Sequence, residues 1–231
     1  MDFAVIAAGH GSRLAHEGVT RPKPLAELNG VSLIDRLLRV FLDNRATSIS
    51  VIINEEMSEV RTHLQNVRLP APFHLIVRST PGSMHSFFHL SPYLMGERFC
   101  LTTVDTVFKE DEFRNYIQAF RTGDADGLMA VTDYIDDEKP LYVNVDKTLT
   151  IRSFTDEAEP GSCYISGGIY CLKRPALKVL ENAVAQNELR MRNYQRRLIA
   201  GGLRLKAYPF SKIIDVDHAG DIIKAERFLD T

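Results

Sequence analysis

The chain has 231 residues, 45% of them hydrophobic, enough for the buried core of one large domain. Its 28 lysines and arginines against 30 aspartates and glutamates exclude a broad basic surface of the kind that holds a nucleic-acid backbone. No run of about 18 apolar residues is present to span a membrane, and Cys100, Cys163 and Cys171, odd in number and set among apolar neighbours, suit reduced thiols in a cytoplasmic protein rather than a disulfide framework or a zinc site.

In chain order, strands are expected over residues 3–7, 49–53, 74–77, 99–103 and 128–131, and helices over 33–42, 60–64, 84–94 and 112–120 between them. Strand and helix in strict alternation predict an α/β fold with a parallel sheet covered on both faces. The apolar run 3–8 is shorter than a signal-peptide core, has Asp2 where a basic flank would stand, and breaks at Gly9. Ser32 precedes the first long helix with Asp35 three residues on, a variant of the capping box, and Leu33, Leu37, Leu38 and Phe41 fall on one face. From about 133 to 172 the pattern turns hairpin-like, with segments 141–145, 149–154 and 164–172 and the turn "DKT" between the first two. Helices at 175–187 and 189–200, apolar segments at 203–208 and 213–216 and a closing helix at 219–229 complete one domain over residues 1–231. There is no repeat or flexible linker to divide it.

The first strand runs into "AAGHGSRL" (residues 7–14), followed by "RPKPL" (residues 21–25). Glycines after a strand let a ligand approach the backbone, and free N–H groups there can hold phosphate oxygens. A dinucleotide fingerprint needs a third glycine where Leu14 stands, and a Walker loop needs Gly-Lys-Ser/Thr after four intervening residues, so both are excluded. What remains is a fork-shaped cation, Arg13, and a point charge, Lys23, stiffened by Pro22 and Pro24. Asp105 follows an apolar strand at the edge where parallel sheets bind ligands, a place that also suits a helix N-cap. Asp215 and Asp217 flank Val216, so in an extended segment they share a face, and one can cap the closing helix while the other turns to the site. His85 and His89 lie four apart on a helix, but "HSFFH" lacks the glutamate of a zincin and reads as partly exposed helix residues.

This double motif resembles that of the sugar-phosphate nucleotidyltransferase family, which carries a Gly-x-Gly-Ser/Thr-Arg loop and a Pro-Lys segment in this order. "TPGSMHSF" (80–87) is similar to the family's Gly-Thr-Ala nucleotide segment, and "FCLTTVDTVF" (99–108) to the strand ending in a metal-binding aspartate. "YISGGIYCL" (164–172) is similar to the "NAGIY" strand, and "IIDVDHAGDIIKAE" (213–226) to the C-terminal "DIDTPEDL" segment. The resemblance implies a Rossmann-like three-layer sandwich with a mostly parallel central sheet and a small β-rich insertion, of the nucleotide-diphospho-sugar transferase type. It implies transfer of a nucleotidyl group from a nucleoside triphosphate to a phosphorylated acceptor, a sugar phosphate first of all, with release of pyrophosphate. Arg13 and Lys23 would act on the triphosphate, and Ala7, Ala8, Gly9, Gly11, Ser12, Gly82 and Ser83 would bind the nucleotide. Ser166 and Gly168 would meet the acceptor, and Asp105 and Asp217 would hold Mg2+, with Asp215 the less favoured second ligand.

Two departures bear on the acceptor. The family's Glu-Lys-Pro segment here reads "FTDEAEP" (154–160) without a lysine, and the asparagine of "NAGIY" is Ser166. Lys139, Arg152 and Lys212 stand as replacements for the missing lysine. The competing functions are a catalytically silent nucleotide-binding sensor of the same fold and a transferase using a non-sugar acceptor such as choline phosphate. A glycosyltransferase would want Asp-x-Asp where Asp105-Thr106-Val107 stands.

Overall fold

The structure is a computed structural model and describes residues 1–136 and 139–230. It begins β1 (Asp2–Ile6), α1 (Ser12–His16), a 3-10 turn (Lys23–Leu25), the hairpin β2 (Glu27–Leu28) and β3 (Val31–Ser32), and α2 (Leu33–Asp43). Next come β4 (Ser48–Ile53), α3 (Ser58–Asn66), β5 (Phe73–Val77), α4 (Ser83–Leu90), β6 (Arg98–Thr103), β7 (Thr106–Val107), α5 (Glu110–Thr122) and β8 (Gly127–Thr132). The chain continues through β9 (Tyr142–Val145), β10 (Ile151–Thr155), β11 (Tyr164–Lys173), α6 (Pro175–Ala185), α7 (Met191–Ala200), β12 (Leu205–Phe210), β13 (Ile214–Asp215) and α8 (Ala219–Leu229).

Strands β5, β4, β1 and β6 lie side by side and parallel. The chain moves outward from β1 through β4 to β5, then returns to the other side of β1 as β6. That reversal opens a crevice at the carboxyl ends of β1 and β6, the place where open parallel sheets take ligands. Beyond β6 the sheet is mixed: β11 runs antiparallel to both β6 and β8, and β12 is parallel to β8. The first residues of β11 also pair with β9, and β9 with β10, which attaches the expected β-rich subregion directly to the main sheet.

Alternation along β1 feeds two cores. Phe3, Val5 and Ala7 pack with Leu37 and Phe41 of α2 and with Phe113 and Phe120 of α5. Ala4 and Ile6 face Met84, Phe87 and Leu90 of α4 and Leu180 and Leu198 of α6 and α7. Helices therefore cover both faces, the three layers implied by the sequence. Ser32 caps α2 as expected, its Oγ accepting from the Asp35 N–H at 3.1 Å and donating to the Asp35 carboxylate at 2.7 Å. The helix expected over 84–94 ends earlier, at Leu90, where Ser91–Tyr93 tightens into a 3-10 turn around Pro92. Helix α1, the 3-10 turn and the β2–β3 hairpin are too short for periodicity to reveal.

Candidate active site

Gly11 turns the chain out of the loop after β1 in a left-handed conformation, at φ 61°, and α1 starts at the next residue. Gly11, Ser12 and Arg13 at the start of α1 border the crevice, and the first-turn N–H groups of a helix have no partner within it. The 3-10 turn is closed by Leu25 N–H donating to Pro22 O at 2.7 Å, and it buries Lys23 to 8% exposure. A Cβ on Gly11 would lie 2.9 Å from the Lys23 Cβ, so the second glycine of the loop makes room for the lysine stem.

Asp105 lies in the tight turn between β6 and β7. Strand β13 pairs antiparallel with β7, Asp215 opposite Thr106, and the Val216 N–H donates to the Asp105 carbonyl at 3.0 Å. This two-residue ladder carries Asp217, distant in the sequence, to the side of Asp105. Lys23 Nζ donates to Asp105 Oδ2 and, at 2.6 Å, to Asp217 Oδ1. Arg13 Nη1 donates to the other oxygen, Asp217 Oδ2, at 2.8 Å. The four side chains singled out for catalysis and metal binding thus form one connected cluster. Burial pulls the Lys23 pKa down, but the charge and hydrogen bonds of Asp105 and Asp217 outweigh it, and the ammonium titrates above the ordinary lysine value.

A cavity of about 560 Å³ opens over this cluster. Ala8, Gly9, Gly11, Ser12, Arg13, Lys23, Gly82, Ser83, Asp105 and Asp217 all line it, with Thr80, Ser86 and Thr103. Ala7 does not: it is buried, its N–H donating to the Ile52 carbonyl at 2.9 Å. Gly82 lines the wall, yet its missing side chain is required by the protein, since a Cβ there would sit 2.5 Å from the Leu189 carbonyl. At Gly9, which lines the cavity, a Cβ would meet nothing within 4 Å, so no contact within the protein requires that glycine.

A second cavity, of about 300 Å³, adjoins the first, and Arg13 and Asp217 line both. Its walls include Tyr134, Asp136, Ser166, Gly167, Asp215, His218 and Lys224. Ser166 lines this cavity, its Oγ donating to Gln195 Oε1 at 2.9 Å. Gly168 is not on this wall; its neighbour Gly167 is. Gly168 has φ +71°, and a Cβ on it would lie 3.1 Å from the Thr106 hydroxyl, so it serves the irregularity in β11. Of the three replacements considered for the missing lysine, none lines the cavity. Arg152 pairs with Asp146, Lys212 lies 3.8 Å from the centre of the Tyr134 ring, and Lys139 borders a separate groove with Arg192. The lysine on the wall is Lys224, paired with Asp136 at 2.7 Å and Asp221 at 3.3 Å.

Asp105 and Asp217 already share one cation, the Lys23 ammonium, which shows that their carboxylates can converge on a single positive centre. Two hard oxygen donors suit magnesium, which takes one or two carboxylates and fills its shell with phosphate oxygens and water. No group of three or more His, Cys, Asp or Glu side chains is arranged for a metal among the described residues. His85 and His89 lie half-buried on α4.

The family described as the MobA-like NTP transferase domain matches residues 3–196. The chain belongs to this family. It is 26% identical over 235 residues to the bifunctional IPC transferase and DIPP synthase of Rubrobacter xylanophilus, covering 98% of this chain and 51% of that protein. It is 22% identical over 240 residues to the bifunctional protein GlmU of Methanococcus maripaludis, covering 98% and 54%. The chain thus spans about half the length of these curated relatives. Among solved structures, the inositol-1-phosphate CTP transferase from T. maritima superposes with a TM-score of 0.82 at 18% identity, covering 99% of this chain and 96% of that one. A putative glucose-1-phosphate thymidylyltransferase from Bacillus anthracis gives 0.84 at 19% identity, covering 99% and 95%. The α/β fold with its mostly parallel sheet is therefore the one the sequence implied.

Several groups that shape the site of this NTP transferase domain carry no motif. Asn54 follows β4, is buried, donates to the Ala8 carbonyl at 3.1 Å and accepts from the Glu56 N–H at 3.0 Å, anchoring the glycine loop. A polar residue closing an apolar strand at the same sheet edge is the signal that could have found it. Glu17 accepts from His218 Nδ1 at 2.6 Å and from the Ala219 N–H at 2.7 Å, tying the α1 loop to the start of α8 beside Asp217.

Gly9→Ala leaves the Tm near that of wild type and raises KM for the triphosphate, because its Cβ meets no protein atom within 4 Å and enters the cavity. Gly11→Ala, by contrast, lowers stability by about 1–2 kcal/mol through its left-handed backbone and reduces kcat by displacing Lys23. Melting curves and steady-state kinetics on both variants separate the two roles. The Glu17 hydrogen bond, aided by Asp221 and opposed by burial and Arg13, raises the His218 pKa, while the His218 and Ala219 bonds depress that of Glu17. The stabilisation from a raised histidine is complete below its unfolded value of about 6.5 and is lost as pH rises through the raised value. That from the depressed carboxylate is lost as pH falls through the depressed value. The Tm difference between wild type and Glu17→Gln is therefore expected to peak in mildly acidic buffer and shrink towards alkaline pH.

Proposed function

We propose that the chain is one nucleotidyltransferase domain over residues 1–231, its subregion near 133–172 on the acceptor side, that joins a nucleoside triphosphate to a phosphorylated small-molecule acceptor. The observation that carries this reading is the meeting of Arg13, Lys23, Asp105 and Asp217 at the junction of two cavities. The larger cavity takes the triphosphate and the smaller the acceptor. A sugar or cyclitol phosphate is the favoured acceptor class, in keeping with relatives named for inositol-1-phosphate and glucose-1-phosphate.

In the reaction a phosphate oxygen of the acceptor attacks the α-phosphorus in line, a new P–O bond forms, and the bond to the bridging oxygen of pyrophosphate breaks. The protein contributes positioning and charge neutralisation. Arg13 and Lys23 hold the phosphates and balance charge gathering on pyrophosphate. The backbone from Ala8 to Ser12 and the start of α4 line the nucleotide, with Gly9 allowing close approach. Asp105 and Asp217 are the residues that would hold magnesium, which when bound neutralises phosphate oxygens. Cys100 and Cys171 are buried free thiols, in keeping with a cytoplasmic setting, and no described helix is long and apolar enough to cross a membrane.

A pyrophosphate-release assay tests the proposal, pairing each nucleoside triphosphate with a panel of sugar, cyclitol and amino-alcohol phosphates in magnesium. Turnover with one pair is expected. Measurable triphosphate binding with no turnover for any pair would instead support the silent sensor.

A further inference from the structure

The Lys23 ammonium occupies the point where Asp105 and Asp217 converge, and both oxygens of Asp217 are engaged, one by Lys23 and one by Arg13. Two cations face two carboxylates, so the cluster is already balanced. A divalent ion directed at the same oxygens meets an ammonium at contact distance in a part-buried site, where repulsion is strong. The lysine backbone is fixed by its 3-10 turn and by contact with Gly11, but its stem ends in the larger cavity. A triphosphate in that cavity offers the ammonium new anionic partners without any backbone movement.

Building on the assignment of Asp105 and Asp217 as the metal-holding pair, we propose that Lys23 competes with the divalent metal for them. Metal then loads tightly only together with a triphosphate, which draws the ammonium off the carboxylates and onto the phosphates. Lys23 thereby sets the order of loading as well as balancing charge. It guards the carboxylate pair against bare metal.

The test is Mn2+ binding, read from the paramagnetic resonance of free Mn2+, on wild type, Lys23→Gln, Lys23→Arg and Asp105→Asn, each with and without a non-hydrolysable triphosphate analogue. Without nucleotide, Lys23→Gln is expected to bind Mn2+ at least about tenfold more tightly than wild type, the scale of removing one contacting unit charge, while Lys23→Arg stays near wild type. With the analogue the gap closes. Equal or weaker Mn2+ binding by Lys23→Gln overturns the competition. If Asp105→Asn has undiminished Mn2+ binding with the analogue, the ligand assignment itself falls, and the proposal with it. A measurement on wild type alone stands beside the variants: in protein with isotope-labelled lysine, Mg2+ by itself leaves the Lys23 side-chain resonance in place, and Mg2+ with the analogue moves it. Movement by Mg2+ alone to the same position overturns the proposal.

Discussion

Lys23→Ala lowers kcat by about 10² to 10³, the scale of losing one preorganised electrostatic partner. The lysine is buried and its backbone is fixed by a proline-framed turn, so an ammonium drawn onto the phosphates when the triphosphate loads is in place before the reaction. Alanine removes the charge and leaves Arg13, through Asp217, as the one remaining cation of the cluster. The loss is expected in kcat more than in KM, because charge builds on the leaving pyrophosphate chiefly in the transition state. Lys23→Arg does not restore it, since a planar fork keeps the charge at the carboxylates but does not deliver it to the phosphates as a compact point charge. Single-turnover kinetics in saturating magnesium checks both variants, and near-normal pyrophosphate release by Lys23→Ala would remove the lysine from the chemistry.

Asp217→Ala has an effect at least as large, a fall in kcat of about 10³, because three roles end together. Its carboxylate holds Lys23 and Arg13, stands beside Asp105 for a metal, and lines both cavities. Asp217→Asn keeps the shape and one acceptor oxygen but not the charge, and is expected to recover little of the rate. Asp215→Ala is the control. That residue lines the smaller cavity and not the larger, so its change is expected to raise the acceptor KM with a smaller effect on kcat. Comparing kcat and both KM values across the three variants decides which aspartate belongs to the metal.

The parts of the site legible in the sequence are those where local pattern and chemistry coincide. Gly9, Gly11 and Arg13 follow a strand, Lys23 is framed by prolines, and Asp105 closes another strand, so a short window shows each one's place. That Asp217 meets Asp105 rests on the β7–β13 ladder, two residues long on each side, which has no periodicity to betray it. Ala7 reads as part of the loop but is held in the sheet by Ile52. Gly168 and Gly167 are indistinguishable as letters. Only the irregularity of β11 decides which one turns to Thr106 and which to the cavity. Lys224 escaped because a lysine on a surface-facing helix has no mark until α8 is packed against Tyr134 and Asp136. The fold was more legible than the smaller cavity, since alternating strand and helix patterns extend over many residues whereas that cavity is assembled from single residues of distant segments.

Phosphorus NMR follows nucleotidyl transfer itself in a mixture of the wild-type protein, a nucleoside triphosphate, magnesium and the best acceptor of the panel. Loss of the three triphosphate signals is expected, with growth of a diphosphate diester and an equal amount of inorganic pyrophosphate. Release of orthophosphate with no diester, or a triphosphate unchanged with every acceptor, would contradict it.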